Sequence, residues 1–511
     1  MKNIKYYICL LLVSVIYSCD LTSEIYNEII PDNFPKNEKD LEAMVTPMYA
    51  PFYAFSAAAG QANGVLVATE MTTDIGQCAW GDAYWGTLLY QEFYPQQNEL
   101  TNQFFTWYNY ISKGTLLINR IEESSVSVGD KVKQSYIAQV KCARGWLAYI
   151  LYNLYGPVPV ADLKVLLNPK AEVILERPTD EWMVEFIETN LMEAINGGLP
   201  YPTEQSADDW GRFNKGLANM VLLKLYMMEK RWDDAVRVAR ELMKPEYGYS
   251  LMRSYADIFT LENERNSEII YAVPCTYEAH QTWHPHVLPA DFPTENSAIQ
   301  KWGGYKVAWK FYDTFEQGDK RLARLYAEYI STDGIKVNRN NPGVGLERGA
   351  IPMKYGEDPK STGIDCSIDW IFYRYADVIL LLAEALNNQN NGPLRECYVL
   401  VNSIRERTGL KLINVDAPGT FQVDLVNGQK KVFELTTQSG FNEFILSERG
   451  HELWFEGCRR DDLIRHGKYY QAITEKELYT GKSKPGYERF PIPESIIIES
   501  KGKVVQNEAY K

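Results

Sequence analysis

The chain has 511 residues, of which 53 are Lys or Arg and 67 are Asp or Glu, giving a net charge of −14. That balance argues against a groove that holds nucleic acid by neutralising phosphates, so no nucleic-acid partner is expected and an uncharged ligand fits better. Mean hydropathy is negative at −0.32, and at this length several domains are allowed although one large core is not excluded.

The first predicted element is an export signal. Lys2 and Lys5 precede an apolar run from Tyr6 to Tyr17, which is shorter than the roughly 20 residues a membrane-spanning helix needs. A basic start, an apolar middle and the small Ser18 ahead of the expected cut are the layout of a secretory signal over residues 1–18. Ile16, Tyr17, Ser18 and Cys19 resemble a bacterial lipobox, which makes Cys19 the expected lipidation site. Each buried methylene of an acyl chain adds about 0.8 kcal/mol, so several chains on one cysteine anchor firmly. Residues 19–40 read as a linker, and 41–511 as one mainly α-helical domain.

Helical periodicity then dominates. FFTWYNYISKGTLLINRIEE (104–123), SYIAQVKCARGWLAYILYNLY (135–155) and TDEWMVEFIETNLMEAI (179–195) each predict a helix. Across 214–244, Leu222, Leu225 and Tyr226 face inward, a short turn follows, and Trp232, Ala235, Val238, Ala239 and Leu242 pack back. Across 373–388, Tyr375, Ile379, Leu382 and Leu386 share one helical face; NQNNGP stops that helix, and RECYVLVNSIRERTGL predicts its partner, ending at Gly409. In the 214–244 pair, small residues inside and an aromatic at the turn resemble a tetratricopeptide unit. The expected architecture is therefore an irregular α-α superhelix with minor β structure, its helix pairs at about 104–244 and 370–410. Segments at about 51–103, 275–305 and 331–369 are rich in Gly, Pro, Asn, Trp and Tyr. Long loops on a rigid scaffold are where binding residues concentrate.

The chain has eight cysteines, of which Cys9 leaves with the signal and Cys19 becomes the anchor. No CxxC or histidine-spaced set appears, so buried free thiols are expected. His280, His284 and His286 gather beside Trp283, but without Cys, and with Pro285 distorting the spacing, hydrogen bonding is favoured over zinc. No metal and no cofactor are expected, with calcium left open because Asp and Asn are plentiful in every loop. No Walker loop, GxSxG, HExxH or dinucleotide fingerprint occurs; HELW at 451 lacks the second histidine. In SERGHELWFEGCRRDDLIRHG, Glu448 with Glu452 and Glu456 with Arg460 fall at helical spacing. Such alternation reads as ion pairs lacing a packed helix on a solvent-facing or interface side.

Taken in order, VKCARGWLAYILYNLYGPVPV (140–160), RPTDEWMVEFIETNLMEAI (177–195), FYRYADVILLLAEALN (372–387), VNSIRERTGL (401–410), ILSERGHELWFEGCRRDDLIRHG (445–467) and the tail FPIPES with QNEAY resemble the SusD/RagB family of outer-membrane lipoproteins from Bacteroidetes. The resemblance implies a SusD-like fold and a cell-surface protein that captures a neutral glycan without catalysis. It also implies delivery to a SusC-like TonB-dependent transporter, with the tetratricopeptide-like helices facing that partner. Capture of peptides, as in the RagB branch, is the alternative. A glycosidase would need two carboxyl groups about 5 to 9.5 Å apart, which this many acids can always supply by chance.

Family members take ligand contacts from loops in two stretches, with no fixed motif. Sugars offer flat C–H faces ringed by hydroxyls, which suit exposed aromatic rings flanked by polar groups. The first stretch, QCAWGDAYWGTLLYQEFYPQQN, offers Trp80, Asp82, Tyr84 and Trp85 between Gln77 and Gln91. The second offers Tyr277, Trp283, His284, Asn296, Trp302 and Tyr305.

Overall fold

The computed structural model describes residues 34–57, 69–81, 83–474, 476 and 483–511, with the backbone alone at 54–57, 83, 84 and 98–103. Five helices pack one on the next in chain order: α1 (Asn98–Glu122), α2 (Asp130–Tyr155), α3 (Asp180–Gly197), α4 (Lys215–Met228) and α5 (Trp232–Leu242). Their ends obey local chemistry. Thr179 Oγ1 accepts from the Trp182 amide at 3.2 Å and Asn214 Oδ1 from the Leu217 amide at 3.0 Å, caps that are each worth about 1 kcal/mol. At the other ends Gly156 (φ +79°) after α2 and Gly198 (φ +127°) after α3 take positive-φ backbone that a side chain would resist.

The chain leaves this stack for residues 243–374, which carry two short helices, α6 (Trp283–Val287) and α7 (Trp309–Tyr312), and several strands. It returns with α8 (Tyr375–Gln389), which packs against α5 and then against α9 (Arg395–Thr408) and α10 (Gln438–Leu453). Helix α8 is buried from Tyr375 to Asn387 on every face, because α5 covers one side and α9 and α10 the other. Two short helices follow, α11 (Arg459–Arg465) and α12 (Tyr469–Thr474).

The β structure is minor and sits mostly on the excursion, apart from β1 and a hairpin at Thr420–Asp424 and Lys430–Glu434. Strands β1 (Gly76–Cys78), β2 (Ile269–Val273), β3 (Tyr305–Ala308), β4 (Leu325–Tyr326), β5 (Glu328–Ile330), β6 (Lys336–Asn338), β7 (Gly349–Pro352) and β8 (Trp370–Arg374) include a sheet of order β1-β3-β7-β4 and an antiparallel β2–β8 pair. Trp146 of α2 ties that pair to the helices: its ring stacks on Phe52 at 4.0 Å, meets Tyr271 and Phe372 edge-on, and its Nε1 donates to Tyr373 Oη at 3.0 Å. Cys78, Cys142, Cys275, Cys366, Cys397 and Cys458 are buried free thiols.

The charged run at 447–467 corrects its sequence reading. Glu448, Arg449, Glu452, Arg460 and Asp462 are buried, not solvent-facing. Asp462 does pair with Arg465 along α11 at 2.7 Å, but Glu456 and Arg460 do not share a helix: α10 ends at Leu453, Phe455 takes φ +55°, and Arg460 belongs to α11, so Glu456 turns elsewhere. Glu456 bonds Arg374 and Lys354, while Glu452 bonds Arg374, Arg407 and Arg321. Arg405 grips Glu316 through both Nη atoms at 2.7 and 2.9 Å, and Arg321 holds Asp319 at 2.7 Å. A buried charge is tolerated only with such partners. The network joins β8, α9, α10 and the excursion, so it fixes where the loops sit on the helical stack.

Candidate functional site

Strand β1 runs antiparallel to β3, pairing Cys78 with Tyr305, Gln77 with Lys306 and Gly76 with Val307. The Ala79 amide extends the pairing by donating to the Gly304 carbonyl at 2.8 Å. This ladder brings together the two aromatic-rich stretches, which lie more than 200 residues apart in the chain.

Their rings form a column from surface to core. Trp302 is outermost at 43% exposed, and its amide is fixed by a 2.7 Å bond to the Pro285 carbonyl. Its ring meets His286 edge-on at 4.8 Å, and His286 meets Trp80 at 5.4 Å. Trp80 is half-buried, and its Nε1 donates to the Trp302 carbonyl at 3.4 Å. Below it Trp85 and Tyr305 stand 5.5 and 5.6 Å away, and Tyr305 meets Trp283 at 6.4 Å. Ring pairs at these separations prefer edge-to-face or tilted contact and add about 0.5–1.5 kcal/mol each beyond area burial.

Two residues that sequence reasoning passed over hold the column in place. A Cβ at Gly304 would stand 2.4 Å from Trp80 Cε2, so the indole lies directly on that backbone. The Gly303–Gly304 doublet was the available signal. Gly304→Ala is expected to destabilise the fold by about 1–3 kcal/mol and to raise the accessibility of tryptophan to acrylamide quenching, because Trp80 must swing outward. The second is Lys306, whose buried Nζ donates to the carbonyls of Val287, Gly303 and Tyr305 at 3.1, 2.9 and 3.2 Å. Burial pushes its ammonium down to about 7. Those three carbonyls tie the end of α6 to the turn that carries Trp302.

Several predicted contacts are corrected by burial. Trp283 is fully buried and its Nε1 donates to the Pro352 carbonyl at 3.0 Å, so it is a core residue. Trp85 and Tyr305 are buried as the underlayer of the column, not as its surface. His284 is buried, its Nε2 donates to the Gly356 carbonyl at 2.7 Å, and burial holds its ring neutral. Tyr277 is half-buried and its hydroxyl donates to Asp358 at 3.0 Å, while Asn296 Nδ2 donates to the carbonyls of Asp358 and Ser361; both brace the 356–368 loop. Gln77 and Gln91 are buried as well. Asp82, the Tyr84 side chain and Cys19 lie outside the described residues. Of the named aromatics with a described side chain, Trp302 and Trp80 are the two that combine surface exposure with a place in the column. Among the described residues no three His, Cys, Asp or Glu side chains are placed to hold a metal ion, and no helix is long and apolar enough to cross a membrane.

Comparison with known proteins matches two family models to this chain. One, described as SusD family, covers residues 308–510, and one described as starch-binding associating with outer membrane covers 26–227. A SusD-like protein P25 of Formosa agariphila is 24% identical over 424 residues, spanning 76% of this chain and 75% of that protein. Among solved structures, surface glycan-binding protein A of Bacteroides uniformis superposes with a TM-score of 0.75 at 21% identity, covering 93% of this chain and 100% of that one. Surface glycan-binding protein A of Bacteroides thetaiotaomicron, solved in complex with laminarihexaose, gives 0.72 at 20% identity, covering 92% and 100%.

Proposed function

The chain belongs to the SusD family, and from that premise we propose that it captures a neutral oligo- or polysaccharide at the cell surface and passes it, chemically unchanged, to a SusC-like TonB-dependent transporter. The observation that carries the reading is the exposed Trp302 indole, anchored at its backbone and backed by His286 and Trp80. A ring held from behind offers a flat apolar face at little entropic cost, which is what the C–H face of a pyranose requires. Asp82 and Tyr84, two and four residues after Trp80, are the proposed polar flank of this rim. A family described as starch-binding and associating with the outer membrane supports this reading. Cys19 is the proposed lipid anchor, residues 19–40 the tether, and 41–511 the binding domain.

The test is affinity electrophoresis of the intact domain through gels holding laminarin, starch and other neutral glycans. Laminarin comes first because a laminarin oligosaccharide sits with one structural neighbour. Retardation by at least one glycan without release of reducing sugar is expected. Retardation by none, together with binding to peptides, would replace the reading with peptide capture. Release of reducing sugar would make the protein a glycosidase.

A further inference from the structure

Next to the aromatic column, α7, α10, α11 and α12 enclose a second concavity, a cleft of about 310 Å³. Its charge opposes that of the chain. Lys310, Arg348, Lys431, Arg459, Lys468 and Lys476 line it against two carboxylates, Asp74 and Glu443. Both carboxylates are already matched, Asp74 to Arg459 at 2.7 Å and Glu443 to Lys431 at 3.2 Å. The cleft therefore holds more cations than its own carboxylates neutralise, in a chain whose net charge is −14. Walls of low dielectric focus such a local field on whatever enters.

Lys476 sharpens the point. It is buried, its Nζ donates to the Met71 carbonyl at 2.7 Å, and burial pushes its ammonium down to about 7. An anion in the cleft would favour its charged form.

His451 forms part of the inner wall. It is 98% buried with a 2% residual exposure and lines the cleft. The Thr314 hydroxyl has one proton and gives it to the Phe311 carbonyl at 2.7 Å, so the 2.9 Å contact between Thr314 Oγ1 and His451 Nε2 must be donated by the imidazole. Burial, with Arg321 and Arg459 nearby, holds this imidazole neutral. His451 Nδ1 is therefore a bare lone pair, and among the described residues it has no hydrogen-bond partner. A buried acceptor without a donor carries a standing cost, and because this one is closed off from the cleft His451 serves as wall and not as a ligand contact. Phe311, Leu446 and Leu463 give the cleft apolar wall as well.

Cations in excess and an apolar wall match a carboxylate or sulfate and a C–H face on one small ring. We propose that this cleft binds an acidic saccharide unit, with its carboxylate or sulfate against Arg348, Lys468 and Lys476 and its C–H face against Phe311, Leu446 and Leu463. The inference rests on the glycan-binding reading and extends it from neutral to acidic sugars. The two sites share a scaffold: Gln77 of β1 lines the cleft and Trp80 lies three residues further on, a span of about 10 Å in extended chain.

The test is isothermal titration of the intact domain at low salt with trigalacturonic acid, galactose 6-sulfate, neutral galactotriose and inorganic sulfate. The acidic saccharides are expected to bind. Arg348→Gln and Lys468→Gln, both at half-buried positions, are each expected to weaken that binding about tenfold while leaving laminarin retardation unchanged. Trp302→Ala is expected to leave galactose 6-sulfate binding unchanged. Equal affinity in the charge variants, failure of both acidic saccharides, or binding of inorganic sulfate alone would each overturn the proposal. If neutral glycans still bind, the cleft assignment alone falls; if no glycan binds, the glycan reading falls with it.

Discussion

Replacing Trp302 by alanine is expected to weaken glycan binding about 30-fold, from the loss of about 2 kcal/mol at a central aromatic contact. Stability should change by no more than about 0.5 kcal/mol, since the side chain is 43% exposed and exposed positions contribute little. Trp283→Ala should do the reverse. That indole is fully buried among Tyr305, Tyr355, Trp370 and Phe455, so its truncation leaves a cavity costing about 3–5 kcal/mol, with whatever folds retaining the rim. Titration calorimetry with the glycan found by electrophoresis, beside urea unfolding of each variant, separates the two. Affinity unchanged by Trp302→Ala would remove the rim as the binding surface.

Arg374→Ala is expected to cost about 3–5 kcal/mol of stability, the consequence of leaving three buried carboxylates with too little positive charge. The Arg374 guanidinium donates to Glu268 at 2.8 Å, to Glu452 at 2.6 Å and to both oxygens of Glu456 at 2.6 and 2.8 Å, with none of the side chain exposed. Its removal takes one cation from each of three buried acids, leaving Lys354 on Glu456, Arg407 on Glu268, and Arg407 and Arg321 on Glu452. A pH signature accompanies the loss. Burial alone would raise the Glu452 carboxyl, but Arg407, Arg374 and Arg321 outweigh it and hold the group at about 2, below its ordinary 4.5. Because the folded-state value is the lower one, this carboxylate contributes about 3 kcal/mol that is fully present above pH 4.5 and is lost as pH falls towards 2. Urea midpoints of the parent protein should therefore drop across that window, and those of Arg374→Ala should drop less. A parallel slope in the two proteins would show that Glu452 does not draw its charge stabilisation from Arg374.

Glu448 stands apart from Glu452 although both are fully enclosed on α10. Burial raises its carboxyl, and Arg405 and Arg321 offset this only in part. Five cations, Arg321, Lys354, Arg374, Arg405 and Arg407, meet six carboxylates, Glu268, Glu316, Asp319, Glu448, Glu452 and Glu456. A proton shared into such a cluster sits most easily where compensation is weakest, and that is Glu448.

Much of the helical scaffold was legible because helix formation is local. The inward set Leu222, Leu225 and Tyr226, the returning set Ala235 to Leu242, and the stop at Gly409 all follow from spacings of three and four residues and from backbone that favours glycine. The family was legible for a related reason, since its motifs are short and keep their order. The charged motif misled on burial: residues that look like a hydrated face along one helix are satisfied by arginines from β8, α9 and the excursion, which no local pattern records.

The two ligand-loop regions could be named from composition, but not which of their rings reach solvent. Trp283 and Trp302 lie in the same stretch and look alike on paper. One is drawn inward by the Pro352 carbonyl and a ring of aromatics, whereas the other is held out by its backbone bond to Pro285. The basic cleft was invisible for the same reason, with its cations scattered from Lys310 to Lys476 in an acidic chain. The amino-acid order alone determined the helices, their caps and the family, because those depend on near neighbours in the chain. The tertiary structure alone decided which indole faces the ligand, which charges are buried and where positive potential collects, because each depends on partners that become neighbours only when distant segments pack.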